Sequence, residues 1–240
     1  MFFLKLIGIC GKIEVYHPYP LQNRSDLYEP PRFRKISYGI KRGGFILNED
    51  MLSIFAKLPT LTTERMIMRK MLVSDYKDMF EYSCRPETSR YLLWKPHESP
   101  KFSKRYLSYL QGQYRDENFY DFALEDKTTK KMIGTCGFTN FDLENNAAEV
   151  GYVLNPDYWG RGLAPEALKR LMRFGFSELR LHRLVARIID ENTASKRVAE
   201  KCGFRHESTH KDSLLVKGEY RTVCEYAILV SEYLSQVHIK

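Results

Sequence analysis

The sequence predicts an α+β fold, in which helices flank a mixed, mostly antiparallel central sheet. Two strand–turn–helix units stand near the middle of the chain, one beginning with Val150–Leu154 and the other with Leu184–Asp190. Strand-like segments joined by short polar turns, such as Tyr120–Glu125 with Met132–Thr139, lie on either side of these units. Strands connected through a helix pair in parallel, whereas hairpin strands pair antiparallel. A sheet built from both kinds of unit is therefore mixed.

The first half of the chain supplies one strand, two helices and that first hairpin. The apolar segment Arg65–Met71 is predicted to form the first strand. Ser74 belongs to the residue types that cap helices, so we predict a helix from there through Tyr82. A second helix is predicted over Lys101–Tyr114, and the polar turn Asp126–Thr129 closes the hairpin.

The second half supplies the centre of the sheet. Ala148–Leu154 is predicted as the central strand, and the next helix is predicted to begin at Pro165, because proline fits an opening helical position. The i, i+3, i+4, i+7 spacing gives that helix a buried face made of Leu168, Leu171, Met172 and Gly175. The following helix ends at Gly203, since glycine accepts a left-handed backbone. Phe204–Ser208, or a little beyond, and Tyr220–Val230 are predicted as the last hairpin.

Composition indicates a globular protein from a reducing compartment. A chain of 240 residues, 43% hydrophobic and 28% charged, can bury a full core in one domain. Its five cysteines are widely spaced and contain no C-x-x-C pair, so we expect free thiols and neither disulfides nor a metal site. No apolar run is long enough to cross a bilayer, and the basic start of a signal peptide is missing. We therefore expect a cytoplasmic protein without membrane contact.

Residues 1–57 are predicted to be an N-terminal extension of unknown role, poorly ordered or folded as a small appendage, ahead of one domain over residues 58–235. Residues 1–47 hold eight Lys or Arg against three Asp or Glu, and the whole chain carries a net charge of +8. Basic segments are commonly just solvated, and no RNA-binding motif with stacking aromatics occurs, so we do not expect nucleic-acid binding. Met51 is an alternative start of translation.

The glycine loop Tyr158–Ala164, between the central strand and the next helix, is a candidate diphosphate site. The first N–H groups of a helix have no partner within it, and glycine lets the backbone approach an anion closely. The loop lacks the G-x-x-x-x-G-K-[ST] pattern of a Walker loop. It also departs from G-x-G-x-x-G, because Pro165 replaces the third glycine. An ordinary tight strand-to-helix connection is the alternative interpretation.

Several segments in order resemble the GNAT acetyltransferase superfamily, and most of all its RimJ/RimL branch, which acetylates the N-terminal amines of proteins. The resemblance spans about Leu58 to Tyr233 and implies the GNAT fold and acetyl-CoA as co-substrate. Trp159 stands where glutamine or arginine is commonest in the superfamily, as is usual in this branch. The segments that carry the resemblance are Leu61–Arg69, Glu149–Tyr152, Tyr158–Leu168, Asn192–Phe204, Gly218–Arg221 and Tyr226–Leu229.

The resemblance implies a cofactor site along the central strand, the glycine loop and the second helix start. Backbone N–H groups of the strand would stabilise the oxyanion and pair with the pantetheine arm, and those of the loop would hold the diphosphate. Asn192 would contact the amide groups of the cofactor, although helix capping alone also accounts for it. The implied cofactor-binding residues are Tyr152, Val153, Leu154, Trp159, Gly160, Arg161, Gly162, Leu163, Ala164, Asn192 and Ser195.

Two residues are candidates for proton transfer. Glu149 stands where several GNAT enzymes carry a carboxylate base, and its alternatives are a water chain as base or a plain polar position on a half-buried strand. Many GNAT enzymes have a tyrosine acid seven residues after the asparagine, but here that position is Ala199. In the RimJ/RimL branch a serine three residues after the asparagine is proposed for this role. Ser195 stands there, although it could simply hydrogen-bond local backbone.

The acceptor side is predicted from the resemblance alone. Trp94 would wall the acceptor pocket, with a core position as its alternative, and Tyr220 on the last hairpin would face the acceptor. The leading function is N-acetylation of a protein α-amine. Acetylation of a small amine, such as an antibiotic or polyamine, and a non-catalytic acyl-CoA-binding module are the alternatives. A homodimer is left open.

Overall fold

In the computed structural model, which describes residues 58–115 and 120–238, eight strands form one sheet in the order β1-β2-β3-β4-β5-β6-β8-β7. Neighbouring strands are antiparallel except for β5 and β6, which are parallel. The predicted extension over residues 1–57 lies outside the described residues. The strands are β1 Leu61–Thr62, β2 Met66–Arg69, β3 Tyr120–Asp126, β4 Met132–Asp142, β5 Ala147–Leu154, β6 Arg183–Ile189, β7 Arg205–Val216 and β8 Glu219–Leu229.

Helices cover both faces of this sheet, so the predicted α+β class with a mixed, mostly antiparallel sheet is confirmed. Short 3-10 turns lie at Val73–Asp75, ahead of the first helix, and at Pro156–Tyr158, after β5. The chain also forms two helices that the sequence did not predict, α2 and α6. The helices are α1 Tyr76–Ser83, α2 Pro86–Ser89, α3 Pro100–Arg115, α4 Leu163–Arg173, α5 Thr193–Lys201 and α6 Val230–His238.

Helix α4 differs from its prediction at both ends. It begins at Leu163, because Gly162 is its N-cap and the Glu166 N–H already donates to the Gly162 carbonyl over 3.2 Å. Pro165 is therefore the third helical residue, still within the first turn, where a missing N–H costs nothing. At its other end the helix widens into a π-helical turn over Phe174–Glu178.

The two faces of the sheet receive different helices. On β3 the ring of Phe122 lies 6.2 Å from that of Phe174, which follows α4, so this face packs against α4. The backbone carbonyl of Asp121 accepts a hydrogen bond of 2.7 Å from the Tyr114 hydroxyl of α3. Successive side chains of a strand point to opposite faces. Residues in register with Phe122 therefore face α4, and those in register with Asp121 face α1 and α3.

The parallel pairing of β5 and β6 is short. It joins Ala147 to Arg183, Ala148 to Leu184 and Glu149 to Val185, and it goes no further. Strand β4, in contrast, pairs with β5 as far as Leu154. The last five residues of β5 therefore have a partner on one side only, and a cleft opens between the carboxyl ends of β5 and β6.

Substitution of a buried leucine and of an exposed one should differ clearly in their effect on the free energy of unfolding. Leu168 of α4 is fully buried, so we expect Leu168→Ala to lower the free energy of unfolding by about 2–5 kcal/mol. Leu215 of β7 is 46% exposed, and Leu215→Ala should change it by about 0.5 kcal/mol or less. Urea denaturation followed by circular dichroism measures both. Equal losses in the two variants would contradict the packing described for α4.

Candidate active site

The cleft between β5 and β6 is the natural place for a ligand. Both strands end at the same edge of the sheet, because they are parallel. The glycine loop follows β5 at this edge, and Asn192 follows β6 before α5 begins. Ligands of sheets with parallel strands bind at the carboxyl ends, where neighbouring connections diverge. The structure therefore brings most of the predicted cofactor residues together around one cleft.

Strand β5 presents backbone groups to this cleft. The N–H of Asn155, just after the strand, donates to the Ile133 carbonyl of β4 over 2.7 Å. Backbone groups point to alternate edges along a strand, so Val153 also faces β4, whereas Tyr152 and Leu154 face the cleft. Of the three predicted positions, Tyr152 and Leu154 therefore offer backbone groups, and Val153 contributes only a side chain.

The glycine loop forms an open turn in front of α4. Gly160 and Gly162 have φ values of +74° and +75°, a left-handed region that other residues enter only with strain. A Cβ atom placed on Gly160 would meet no atom within 4 Å, so the space in front of the loop is free. The N–H groups of Leu163 and Ala164 open the helix and have no acceptor within it. Left-handed turns next to a helix start bind anions through such groups.

Arg65, which lies outside the glycine loop, fixes the loop in place through hydrogen bonds. The sequence did not reveal this role. Its guanidinium donates to the Arg161 carbonyl over 2.8 Å and to Glu166 of α4 over 2.7 Å, and its own N–H donates to the same carboxylate. Burial alone would raise the pKa of Glu166, but hydrogen bonds from Thr63 and Arg65 and the charge of Arg65 lower it overall. The anionic Glu166 thus keeps β2 docked on the first turn of α4. The sequence signal was only that Arg65 lies in a segment resembling the family.

Trp159 and Arg161 are the two large side chains in the exposed part of the glycine loop. The Trp159 indole is 50% exposed, and its N–H donates to the Leu154 carbonyl over 2.7 Å. This bond fixes the loop to the free edge of β5. The guanidinium of Arg161 stacks over the Tyr158 ring at 5.1 Å. It remains exposed and is able to reach an anion in front of the loop.

Asn192 and Ser195 form the start of α5 across the cleft. The Asn192 side-chain oxygen accepts the Ser195 N–H over 3.1 Å, so the capping interpretation is confirmed. The Tyr152 hydroxyl donates to the Ser195 carbonyl over 3.1 Å and links β5 to α5, while burial raises its pKa. The Ser195 hydroxyl also lies within hydrogen-bond reach of the Tyr152 hydroxyl, which lowers the pKa of Tyr152 in part. Within residues 58–115 and 120–238 the Asn192 amide nitrogen has no hydrogen-bond partner, and it remains available to a ligand.

Glu149 lies where the cleft begins. It is the last β5 residue paired with β6, and its side chain is half-buried. Burial raises the pKa of its carboxyl group, and the charge of nearby Arg187 offsets part of this shift. A carboxylate with a raised pKa is a stronger proton acceptor than an exposed one. Its position is thus compatible with the predicted base.

A small cavity of about 30 Å³ lies on the other face of β5, under α1 and α3. It has room for one or two water molecules. Val153 of β5 lines it, and so does Trp94, the predicted wall of the acceptor pocket. The other lining residues are Met71, Met79, Tyr82, Ser83, His97, Tyr106, Asp121 and Thr135.

The sequence did not single out His97 and Asp121, two ionisable residues of this cavity, as a pair. His97 bonds the Ser103 hydroxyl through Nδ1 over 2.8 Å, and burial lowers its pKa to about 4, so it is neutral near pH 7. Burial raises the pKa of Asp121 to about 7, although the Thr135 hydroxyl and the Phe122 N–H lower it in part. Asp121 gave no signal in the sequence, because a lone acidic residue on a strand has many explanations.

Tyr220, the second predicted acceptor residue, lies apart from the cavity. It stands at the tip of the β7–β8 hairpin and is 68% exposed. That tip is held near α2, because Lys217 donates to the Ser89 carbonyl over 2.6 Å. Ser89 precedes Trp94 by five positions in the chain. The role of Tyr220 stays a prediction.

Comparison with known proteins identifies the family. The sequence model of the acetyltransferase (GNAT) domain matches residues 65–205. The chain therefore belongs to the GNAT acetyltransferases, which confirms the predicted fold and an N-acetyltransferase that uses acetyl-CoA.

The four cysteines among the described residues, at positions 84, 136, 202 and 224, are free thiols, as predicted. None of the helices in the described parts is long and apolar enough to cross a membrane.

Relatives in bacteria cover the same domain. An uncharacterized N-acetyltransferase, p20, from Bacillus licheniformis is 32% identical over 73% of this chain and 99% of its own length. The [ribosomal protein uS5]-alanine N-acetyltransferase of Escherichia coli is 28% identical over 67% of this chain and 86% of its own. The crystal structure of a GNAT-family acetyltransferase from Bacillus anthracis superposes with a TM-score of 0.65 at 26% identity, covering 72% of this chain and 99% of that one.

The contacts of Arg65 predict a defect confined to the diphosphate end of the site. In Arg65→Ala the Arg161 carbonyl loses a charged donor, so we expect the KM for acetyl-CoA to rise about tenfold while kcat is kept. S-acetylpantetheine has no diphosphate, and its turnover should be unchanged. Arg205→Ala, which removes an exposed arginine paired with Glu232, is the control. Equal losses with both acyl donors would mean a general folding defect instead.

Proposed function

We propose that this protein transfers the acetyl group of acetyl-CoA to the α-amine at the N-terminus of a protein, with ribosomal proteins as the first candidates. One feature carries the proposal: β5 turns its free edge to the cleft while Val153, on one face of the strand, lines a separate cavity. A donor in the cleft and an acceptor in the cavity would thus meet at a single strand. The relative named for ribosomal protein uS5 supports this class of acceptor.

The residues around the cleft fit the acyl donor. The N–H groups of the glycine loop up to Ala164 would hold the diphosphate, with the exposed Arg161 adding a charged donor. The free edge of β5 would pair with the pantetheine arm as an added strand does, and the Asn192 amide would bind its carbonyl groups. When bound, acetyl-CoA supplies the acetyl group as a thioester.

Residues of β5 would then assist the attack of the amine. Glu149 takes a proton from the incoming amine, directly or through water. The N–H groups of Tyr152 and Leu154 face the cleft and stabilise the negative charge that develops on oxygen, a contribution of about 3 kcal/mol by analogy with other oxyanion donors. The hydroxyl of Ser195 donates a proton toward the departing sulfur. Each of these groups belongs to the cleft between β5 and β6.

The acceptor class is tested by release of free thiol from acetyl-CoA. The purified protein is given peptides that begin with different residues, including the N-terminal sequences of ribosomal proteins, together with polyamines and aminoglycosides. Turnover of the peptides alone supports the proposal. Turnover of small amines alone contradicts it and favours the small-molecule alternative. Binding of acetyl-CoA without turnover of any acceptor would favour an acyl-CoA-binding module.

Replacing the proposed base should reduce turnover without weakening donor binding. Glu149→Gln keeps the shape of the side chain but accepts no proton, so we expect kcat to fall about 100-fold or more. Because the pKa of Glu149 is raised, the wild-type rate should rise with pH above the ordinary range of a carboxyl group, and the variant should lose this acidic limb. Glu178→Gln, on an exposed glutamate beyond α4, is the control. An unchanged pH–rate profile in Glu149→Gln would argue against this base.

Replacing the proposed acid should have a smaller effect. A thiol pKa near 8.5 lets the sulfur leave without much help, so we expect Ser195→Ala to lower kcat about tenfold. The Ser195 backbone keeps its bonds to Asn192 and Tyr152, and the affinity for CoA should hold. Stopped-flow measurement of thiol release separates the chemical step from product release. A wild-type rate for that step would assign Ser195 a structural role only.

A further inference from the structure

A row of three residues crosses the sheet on the face that bears the cavity. Asp121 of β3 pairs with Gly137 of β4, and Gly137 pairs with Gly151 of β5. Partners directly opposite share a face, so two glycines separate the Asp121 carboxyl group from the edge of β5. Neither position carries a side chain, and the shallow trough above them holds the Asp121 carboxyl group and the Thr139 methyl group.

Only glycine fits at these two positions, because neighbouring atoms lie too close to leave room for a Cβ atom. A Cβ atom on Gly137 would lie 2.7 Å from the Asp121 Oδ1 atom, and one on Gly151 would lie 2.7 Å from the Thr139 methyl group. The Asp121 oxygen therefore rests over β4, one strand spacing of about 4.8 Å from Gly151. Asp121 and Val153 of β5 line the same cavity, so a nitrogen bound to that oxygen would lie beside β5.

The same oxygen is buried and lacks a partner. No hydrogen bond reaches Asp121 Oδ1 from any described residue, although the atom is shielded from solvent. A buried acceptor without a donor destabilises the fold, and the more so when it is charged. The cavity is lined by no lysine or arginine, so a donor from outside the chain, such as the ammonium group of an amine, would offset this cost.

The remaining lining suits a small cation. Tyr82, Trp94 and Tyr106 contribute aromatic surfaces, which favour ammonium groups. His97, neutral near pH 7, adds no competing positive charge. The titratable groups around Asp121 are His97, Tyr82 and Tyr106 from the helical side, Tyr114 of α3, Cys136 behind the sheet and Glu149 farther along β5.

We infer that Asp121 binds the amino group of the acceptor in this cavity and holds it against β5. The inference rests on the proposed function and narrows its substrate class. The narrow cavity between Tyr82 and Trp94 favours a slender group, so the acceptor is expected to present a primary amine on an unbranched chain or an N-terminal residue with a small side chain.

Binding of n-butylamine, followed by NMR titration in the presence of CoA, tests this inference without any turnover. The wild type should bind the amine at least ten times more tightly than Asp121→Asn. The amine stays protonated below about pH 10, so its affinity should fall only as Asp121 becomes protonated, below about pH 7. Asp121→Asn should show no such dependence, and Asp121→Glu should restore part of the affinity.

Two controls keep the result interpretable. Asp142→Asn changes an exposed aspartate at the end of β4 and should bind the amine as the wild type does. Asp121→Asn removes a buried charge, so above pH 7 it should unfold at the same temperature as the wild type or higher, which excludes a folding defect. Its affinity for acetyl-CoA should stay within twofold.

Equal amine binding by the wild type and Asp121→Asn would overturn the inference, even if the enzyme acetylates peptides. A parallel loss of amine and acetyl-CoA binding would overturn it too, because it would indicate a structural role for Asp121. Absence of turnover with normal Asp121-dependent amine binding would contradict the proposed function alone.

Discussion

The separation of β5 from β6 is the constraint on which the site depends. Three residue pairs hold the two strands together, and then the parallel ladder stops, so β5 keeps one paired edge and one free edge. A buried strand edge needs donors and acceptors for its backbone groups. Here the Trp159 indole donates to the Leu154 carbonyl, and β6 pairs with the first three residues of β5 only. The glycine loop and α5 lie at the mouth of the cleft because they follow the two diverging strands.

Positioning of the loop depends on parts of the chain far apart in sequence. Arg65 binds Glu166 and the Arg161 carbonyl, about a hundred positions away, and the Tyr152 hydroxyl reaches the Ser195 carbonyl. These contacts are directional and partly shielded, so they fix geometry more than they add stability. The glycine loop thus owes its shape to the glycines and its place to the Arg65 contacts.

Much of the fold was predictable because its signals are local. The glycine loop, the buried face of α4 and the left-handed Gly203 all follow from residue type and spacing, and each appears in the structure. The long β7 and the start of α4 at Leu163 were missed, since their ends are set by tertiary pairing and by the Gly162 cap. Arg65 and Asp121 could not be found from the sequence, because only the register of distant strands shows what they touch.

The strand order has a consequence for synthesis on the ribosome. Strand β8 lies between β6 and β7, although it is the last strand in the chain. Neither β6 nor β7 can complete its hydrogen bonds until Leu229, the end of β8, has left the exit tunnel. The cleft between β5 and β6 therefore acquires a fixed wall only after β8 has emerged, and long-range pairing of this kind folds slowly. Until then a nascent chain of this enzyme has no finished site and offers exposed strand edges to chaperones.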